Sequence, residues 1–225
     1  MAGEAAKFVE IMPGPEGRLL TPHHQQLSNG TALDRYPTVF AAAAANAPPR
    51  PRKGWRTILS FGCSTGEEAA TLADKYFPDD IVVGLDVYEP ALAVARERHP
   101  NDRIIYDDST PKTLAQYGPF DCIFAMSVLC RWPATFELED CSKVYTFKEF
   151  EAAIENLDRA LTARGILTLY NSNFSFLDTV VADRYEVLAG AGIWKNGFVH
   201  RFDRDHRRVR TITSDCIYRK LSDAV

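Results

Sequence analysis

The residues that could do chemistry begin with a loop of small side chains. Gly62, Ser64 and Gly66 follow an apolar run and precede Glu67 and Glu68. Glycine and serine leave little side chain in the way, so the backbone of such a loop can approach a nucleotide-like ligand closely. The pattern predicts a ligand site where a buried strand ends and a helix begins.

The spacing of this loop separates classes of nucleotide ligand. A dinucleotide loop reads Gly-x-Gly-x-x-Gly, whereas here only one residue separates the second and third small residues. Glu67 and Glu68 suit a helix N-terminus but would repel a pyrophosphate there, which argues against an NAD-dependent oxidoreductase. A P-loop is excluded because no Gly-Lys-Ser/Thr follows. A ligand with a ribose, an adenine and positive charge fits better, and S-adenosylmethionine is such a ligand.

Carboxylates follow the next two predicted strands. Asp86 lies at the end of the apolar run 81–87, where a carboxylate can accept hydrogen bonds from a ribose. Asp107 and Asp108 end the following strand. Alternatively, Asp86 caps a loop and the later pair forms an Asx turn before Pro111. Ligands of parallel sheets bind at the carboxyl ends of the strands, which favours the binding interpretation.

With these motifs the chain resembles class I S-adenosylmethionine-dependent methyltransferases over roughly residues 55–172. The loop 62–68 is similar to the cofactor loop of the chemotaxis-receptor methyltransferase group. The run 120–127 resembles the family's motif that borders the methyl-transfer centre. The resemblance implies S-adenosylmethionine as cofactor, with these binding residues: Gly62, Cys63, Ser64, Gly66, Asp86, Val87, Asp107, Asp108 and Ser127.

The resemblance also implies individual roles. Asp86 would bind the ribose hydroxyls, and Asp107 or Asp108 the adenine amino group. One position departs from the family, in which many members carry an acidic residue before the first glycine. Ser60 and Phe61 stand there instead, so the sequence assigns no group to the methionine ammonium.

No motif identifies a general base, and the catalytic candidates are correspondingly few. His23 or His24 could act as a base if the N-terminal segment closes over the pocket, or the pair is exposed to solvent. Arg131, followed by a tryptophan, could wall the cofactor or grip a substrate, or belong to a surface turn. Asn171 could line the substrate pocket or cap a helix. Cys63 is interpreted as a small loop residue rather than a nucleophile, because no base lies near it in sequence.

The C-terminal tail contains a basic stretch with interspersed aspartates. Residues 200–210 could contact an RNA or an anionic sugar, but a solvated hairpin turn is the favoured interpretation. Residues 196–203 resemble the tail of methyltransferase domains found with polysaccharide and glycan modification.

Hydrophobic periodicity supplies the elements that must position these residues. It predicts strands at 57–62, 81–87, 103–107, 120–126 and 166–170, with short strand-like runs at 198–202, 208–213 and 215–219. It predicts helices at 38–45, 66–76, 89–98 and 147–164, the last ending at Gly165. Such alternation indicates an α/β, Rossmann-like three-layer sandwich. We expect a mostly parallel seven-stranded sheet with a terminal antiparallel hairpin.

Proline-rich residues 1–53 are predicted to form a lid or helical appendage, and residues 54–225 the methyltransferase domain. The net charge of −4 argues against non-specific nucleic-acid binding. No membrane span or secretory signal is visible, which favours the cytoplasm. The five cysteines never form Cys-x-x-Cys, so buried free thiols and no metal site are expected.

The sequence therefore predicts methyl transfer from S-adenosylmethionine to an oxygen or nitrogen of a small molecule or glycan. A protein or RNA methyltransferase is the first alternative. A domain that binds the cofactor without catalysis and serves as a scaffold is another. The sequence leaves the oligomeric state open.

Overall fold

The computed structural model describes residues 30–188, 199–210 and 216–221, and these form helices packed around a central sheet. The strands are β1 Thr57–Phe61, β2 Ile81–Asp86, β3 Ile104–Asp108, β4 Phe120–Met126, β5 Leu161–Tyr170, β6 Tyr185–Val187, β7 Arg201–Phe202, β8 Arg208–Val209 and β9 Ile217–Lys220. The helices are α1 Pro37–Asn46, α2 Glu67–Thr71, α3 Glu89–Arg98, α4 Pro111–Tyr117 and α5 Phe147–Ala160. A π-helical turn, Leu72–Tyr76, continues α2, and two 3₁₀ turns are Phe176–Asp178 and Ala182–Arg184.

Seven strands form one sheet in the order β3-β2-β1-β4-β5-β9-β6. Strands β1 to β5 pair in parallel, whereas β9 runs antiparallel to both β5 and β6. Strands β7 and β8 form a separate antiparallel pair. The predicted α/β, Rossmann-like class with an antiparallel hairpin is confirmed. The strand order reverses between β1 and β4, and ligands of such sheets bind beside that switch point.

The end of α5 differs from the prediction. The helix ends at Ala160, and Leu161 already pairs with Phe120 of β4. Gly165 therefore lies inside β5, where a Cβ atom would come within 2.8 Å of the Leu161 side chain. The predicted helix end at Arg164 and Gly165 is wrong, because Leu157 and Leu161 are both buried and so extend the helical periodicity into the strand. The glycine serves close packing.

Two elements escaped the sequence analysis. Helix α4 begins with a capping box in which the Thr110 and Thr113 side chains each accept a hydrogen bond from the other's backbone N–H. Pro111 occupies its first turn, where a missing N–H costs nothing. Strand β6 has only three residues, too few for a period to be visible.

Helix α1 packs against the sheet. The Phe40 ring lies 5.6 Å from the Phe124 ring of β4, centroid to centroid. The chain between α1 and β1 is held by Asp80, whose carboxylate accepts hydrogen bonds from Arg50 and Arg56. The helix predicted here is present, and the division of the chain at residue 53 stays a prediction.

The tail and the cysteines follow the sequence expectations where the structure describes them. The β7–β8 turn is closed by a hydrogen bond from the Asp203 N–H to the Arg207 carbonyl, 2.9 Å long. Parts of the predicted tail strands, at residues 198 and 211–215, lie outside the described residues. All five cysteines are buried free thiols. Across the described ranges, no helix has the length and apolar character needed to cross a membrane.

Candidate functional site

The small-residue loop leaves β1 with two glycines in the left-handed region. Gly62 has φ 78° and Gly66 φ 93°. A Cβ atom at Gly62 would lie 2.5 Å from Cγ2 of Val128, and one at Gly66 would lie 2.9 Å from Cβ of Ala95. Both positions therefore require glycine for backbone conformation and for space.

The end of β2 holds this loop in place. The N–H groups of Gly62 and Cys63 donate to the Leu85 carbonyl over 2.7 and 3.1 Å. The Asp86 carboxylate accepts from the Ser64 N–H through one oxygen and from the Tyr88 N–H through the other, at 2.8 and 2.9 Å. Asp86 thus caps the loop, as the alternative interpretation proposed. It also faces the adjacent pocket, so the two interpretations are compatible.

A pocket opens beside the loop and encloses about 460 Å³, part of it open to solvent. The residues that line it are Gly30, Thr31, Ala32, Arg35, Tyr36, Phe40, Gly62, Cys63, Ser64, Glu68, Asp86 and Met126. Half of its wall therefore comes from residues 30–40. Of the predicted cofactor residues it includes Gly62, Cys63, Ser64 and Asp86, and it does not include Gly66, Val87, Asp107, Asp108 or Ser127.

Glu68 lines this pocket, whereas the sequence analysis placed it only at a helix N-terminus and gave it no role in binding. Burial raises the pKa of its carboxyl to about 8, while a hydrogen bond from Ser60 Oγ and the charge of Arg35 act in the opposite direction. The Ser60 bond is 2.8 Å long. Ser60 stands near the place where many family members carry an acid, and here it holds a carboxyl that comes from α2. The only signals of this pair in the sequence were a serine near the end of the first predicted strand and the second glutamate after Gly66.

The pocket wall from the N-terminal segment is tied to α2 and its π-helical turn. The Asp34 N–H donates to Thr71 Oγ1 over 2.9 Å, and the Asp34 carboxylate accepts from Tyr76 and Lys75. Arg35 donates to the Gly30 carbonyl over 2.6 Å. Sequence alone offered no signal for these partners.

A polar cluster lies where β4 and β5 end. The Tyr36 hydroxyl is 2.8 Å from Ser127 Oγ, and Asn171 Nδ2 donates to the same Ser127 oxygen over 2.8 Å. Ser127 and Asn171 have φ values of 60° and 55°, which turn each chain sharply at its strand end. Burial raises the pKa of Tyr36. Ser127 therefore reaches the pocket through Tyr36.

The carboxylates of Asp107 and Asp108, the last two residues of β3, lie at the same sheet edge as Asp86. Asp108 is the register partner of Asp86. Asp107 accepts a 2.7 Å hydrogen bond from the Tyr117 hydroxyl, and this bond is the main reason why the pKa of Asp107 is lowered. Asp108 and Val87 are exposed to solvent. The structure thus brings these predicted residues to the correct edge, outside the pocket lining.

The remaining residues that the sequence analysis singled out differ in burial and in whether the structure describes them. The Cys63 thiol is buried beside Asp86 and Glu68, which holds its pKa well above the usual range and fits a small loop residue. Arg131 is buried after β4. His23 and His24 lie outside the described residues. Within residues 30–188, 199–210 and 216–221, no group of three or more His, Cys, Asp or Glu side chains could hold a metal ion.

Comparison with known proteins agrees with this geometry. Residues 59–167 match the family model described as a methyltransferase domain. Over these residues, just under half of the chain, it carries a methyltransferase domain, and this domain is built on the Rossmann-like sheet described above. The closer likeness to the chemotaxis-receptor group stays a prediction. No curated protein matches the chain significantly.

Similar solved structures include proteins of several activities. The plantazolicin methyltransferase BpumL, in complex with SAH, is 16% identical, with a TM-score of 0.42 over 60% of this chain and 47% of its own. PKMT2 from Rickettsia typhi, in complex with AdoHcy, is 16% identical, with a TM-score of 0.42 over 60% and 24%. The [4+2]-cyclase SpnF is 23% identical, with a TM-score of 0.39 over 58% and 43%. This chain thus spans about half the length of BpumL and less of the other two.

Proposed function

We propose that the chain binds S-adenosylmethionine in this pocket and transfers its methyl group to an oxygen or nitrogen of a small molecule or glycan. One observation carries the proposal. One pocket, at the carboxyl ends of β1 and β2, is lined by the glycine loop, the Asp86 carboxylate and the buried Glu68 carboxyl. These groups match a ligand that combines a ribose with positive charge.

The binding roles follow from the chemistry of each side chain. The Asp86 carboxylate accepts from two backbone N–H groups and faces the pocket, where it would accept hydrogen bonds from ribose hydroxyls. Asp108 is exposed beside it and can accept from the adenine amino group. Glu68 would face the methionine ammonium, and the Arg35 guanidinium its carboxylate. Gly62, Cys63, Ser64 and Gly66 provide the close backbone approach.

Methyl transfer is an in-line displacement at the methyl carbon of the sulfonium. Bound S-adenosylmethionine would supply this activated methyl group: the acceptor oxygen or nitrogen would gain the carbon and lose a proton to a base or to water, and S-adenosylhomocysteine would remain. The cofactor is already activated, so alignment of acceptor and methyl group supplies much of the acceleration. Ser127, Tyr36 and Asn171 are our candidates for the acceptor side of this alignment.

The acceptor proposal rests on charge and shape. Arg208 and Arg210 of the basic tail stretch both pair with Glu139, which reduces the field that an RNA backbone would meet. Residues 30–40 wall one side of the pocket, which favours an acceptor small enough to enter beside them. We therefore favour a small molecule or glycan over protein or RNA.

A thermal-shift comparison tests the proposal. We expect S-adenosylmethionine and S-adenosylhomocysteine to raise the unfolding midpoint, and NAD to leave it unchanged. Absence of a shift with either sulfur ligand would overturn the proposal. Turnover with labelled S-adenosylmethionine on small-molecule, glycan, protein and RNA acceptors then identifies the substrate class. Intact cofactor affinity without any turnover would instead support the scaffold alternative.

A further inference from the structure

The feature that the proposed reaction leaves unexplained is the side chain of Arg131. It lies in the turn after β4 and is only 7% exposed. Its Nε is buried and has no hydrogen-bond partner within residues 30–188, 199–210 and 216–221. Among the residues that the structure describes, no carboxylate forms an ion pair with its guanidinium. Burial of a cation without a counter-charge costs free energy, and an arginine cannot escape that cost by losing its proton.

The surroundings of Arg131 offset only part of this cost. Its guanidinium lies over the Tyr145 ring, 5.1 Å from the centroid, in a cation–π contact. The Glu149 carboxylate, which lies within electrostatic range of the same tyrosine, accepts from the Thr146 backbone N–H and hydroxyl. In the part of the chain that the structure describes, no hydrogen bond to the guanidinium nitrogens supplements this contact. The fork of donors therefore remains available to a ligand.

The backbone of Arg131 is held rigidly. Its N–H donates to Asn173 Oδ1 over 2.7 Å. Asn173 is fully buried and also donates to the His200 carbonyl over 2.8 Å. The backbone carbonyl of the same asparagine accepts a 2.7 Å hydrogen bond from the Phe202 N–H of β7. A side chain presented by such a network is prepared for a bound partner, because little ordering remains to be done on binding.

Arg131 also belongs to the same sheet edge as the pocket. It follows Ser127, which contacts Tyr36 of the pocket wall, and Asn173 follows Asn171. The Cys130 thiol lies within electrostatic range of both Arg131 and the pocket residue Arg35, since both charges act to lower its pKa against the effect of burial. A molecule whose reacting atom stands at Ser127 could thus extend a second group towards Arg131.

We propose that Arg131 binds an anionic group of the methyl acceptor, a carboxylate or a phosphate, as a bidentate partner. The inference rests on the proposed methyl transfer and specifies its substrate class. A guanidinium fork matches both anions, and such charge-assisted pairs are short and directional. Because the guanidinium is buried, the anion belongs to a small acceptor rather than to the backbone of a nucleic acid.

The first experiment needs no turnover. We expect inorganic phosphate to raise the unfolding midpoint of the wild-type protein above that in sodium chloride of equal ionic strength. Arg131→Met should abolish this increase, and the control Arg98→Met, an exposed arginine of α3, should retain it. An equal response in wild type and Arg131→Met would overturn the inference. If Arg131→Met had a lower unfolding midpoint than the wild type but the same response to phosphate, the arginine would have a packing role. That result would also overturn the inference.

The second experiment measures specificity with matched acceptors. We expect hydroxy acids to exceed their carboxamides, or sugar phosphates the free sugars, by about 100-fold in kcat/KM for the wild type. Arg131→Met should lose this preference while its affinity for S-adenosylmethionine stays unchanged. Equal rates on charged and neutral acceptors would overturn the inference and leave the proposed function intact. Failure to bind S-adenosylmethionine would overturn the proposed function, and the phosphate response would then decide on Arg131 alone.

Discussion

The two sides of the pocket are built in different ways. On the β1–β2 side, the loop and Asp86 are joined by a hydrogen bond across 22 residues, and most contacts involve backbone groups. On the β4–β5 side, Tyr36 and Asn171 meet across 135 residues, and side chains make the contacts. The first side can therefore be recognised in the sequence as a local motif, whereas the second depends on how distant segments pack. Substitutions on each side should separate cofactor binding from acceptor use.

The largest effect is expected for Gly62→Val on the cofactor side. The new side chain would clash with Val128 and force a branched residue into the left-handed region. Together these costs should lower the free energy of unfolding by about 3 kcal/mol and abolish cofactor binding. Urea unfolding measures the first effect and calorimetry the second.

Gly54→Val is the matched control for this glycine. Gly54 also has a positive φ, 104°, but no described atom lies within 4 Å of a Cβ atom there. We expect a loss of only about 1 kcal/mol and normal cofactor affinity. Equal losses in the two variants would show that packing against Val128 contributes nothing.

Asp86→Ala should be the next largest change. It removes the acceptor for the Ser64 and Tyr88 N–H groups and the acceptor that we propose for the ribose. We expect S-adenosylmethionine to bind about 1.5–3 kcal/mol more weakly, the range of hydrogen bonds to a charged group. Calorimetry should show no change for Asp102→Ala, an exposed aspartate that precedes β3 at the opposite end of the strands. Unchanged affinity in Asp86→Ala would refute the ribose assignment.

The Glu68 carboxyl predicts a pH dependence of cofactor affinity. With its pKa near 8, it is protonated in the empty pocket at pH 7, whereas an ammonium favours its ionised form. Affinity for S-adenosylmethionine should therefore rise between pH 6 and 8 by up to about 1.4 kcal/mol per pH unit. Glu68→Gln keeps a group that can accept the Ser60 bond, and its calorimetric pH profile should be flatter.

The same group affects stability with the opposite sign. Its folded pKa lies above the ordinary value of 4.5, so the folded protein without ligand holds the proton more tightly than the unfolded chain. The associated stabilisation is complete below about pH 4.5 and is lost as the pH rises towards 8. Denaturation of Glu68→Gln over this range should lack that component. A wild-type curve that matches the variant would contradict the raised pKa.

Tyr36→Phe should have the smallest effect on folding, and it tests the acceptor side. The change removes the hydroxyl that contacts Ser127 and leaves the ring against Phe40 and Tyr170. We expect a loss of about 1 kcal/mol in unfolding free energy. Affinity for S-adenosylmethionine should be nearly normal, and kcat should fall about tenfold through poorer alignment. A defect confined to cofactor affinity would show that Tyr36 serves cofactor binding rather than alignment of the acceptor.

Prediction from sequence succeeded where a feature repeats along a short stretch of chain. The strands β1, β2 and β4 follow from short, nearly continuous apolar runs that are buried, and helix α3 follows from the spacing of its buried residues. The helix end before β5 was wrong, because Leu161 continues the helical spacing while it pairs with Phe120. Glu68 was missed because its neighbour in the pocket, Arg35, is distant in sequence.

The sequence by itself determined the alternation of strands and helices, the glycine loop and the carboxylates at successive strand ends. These depend on backbone conformation and on contacts between adjacent elements, which spacing along the chain encodes. Only the tertiary structure decided that residues 30–40 wall the pocket, that Ser60 supports Glu68 and that Arg131 is buried without a carboxylate partner among the described residues. Those facts depend on burial and charge in three dimensions, which arise from segments far apart in the chain.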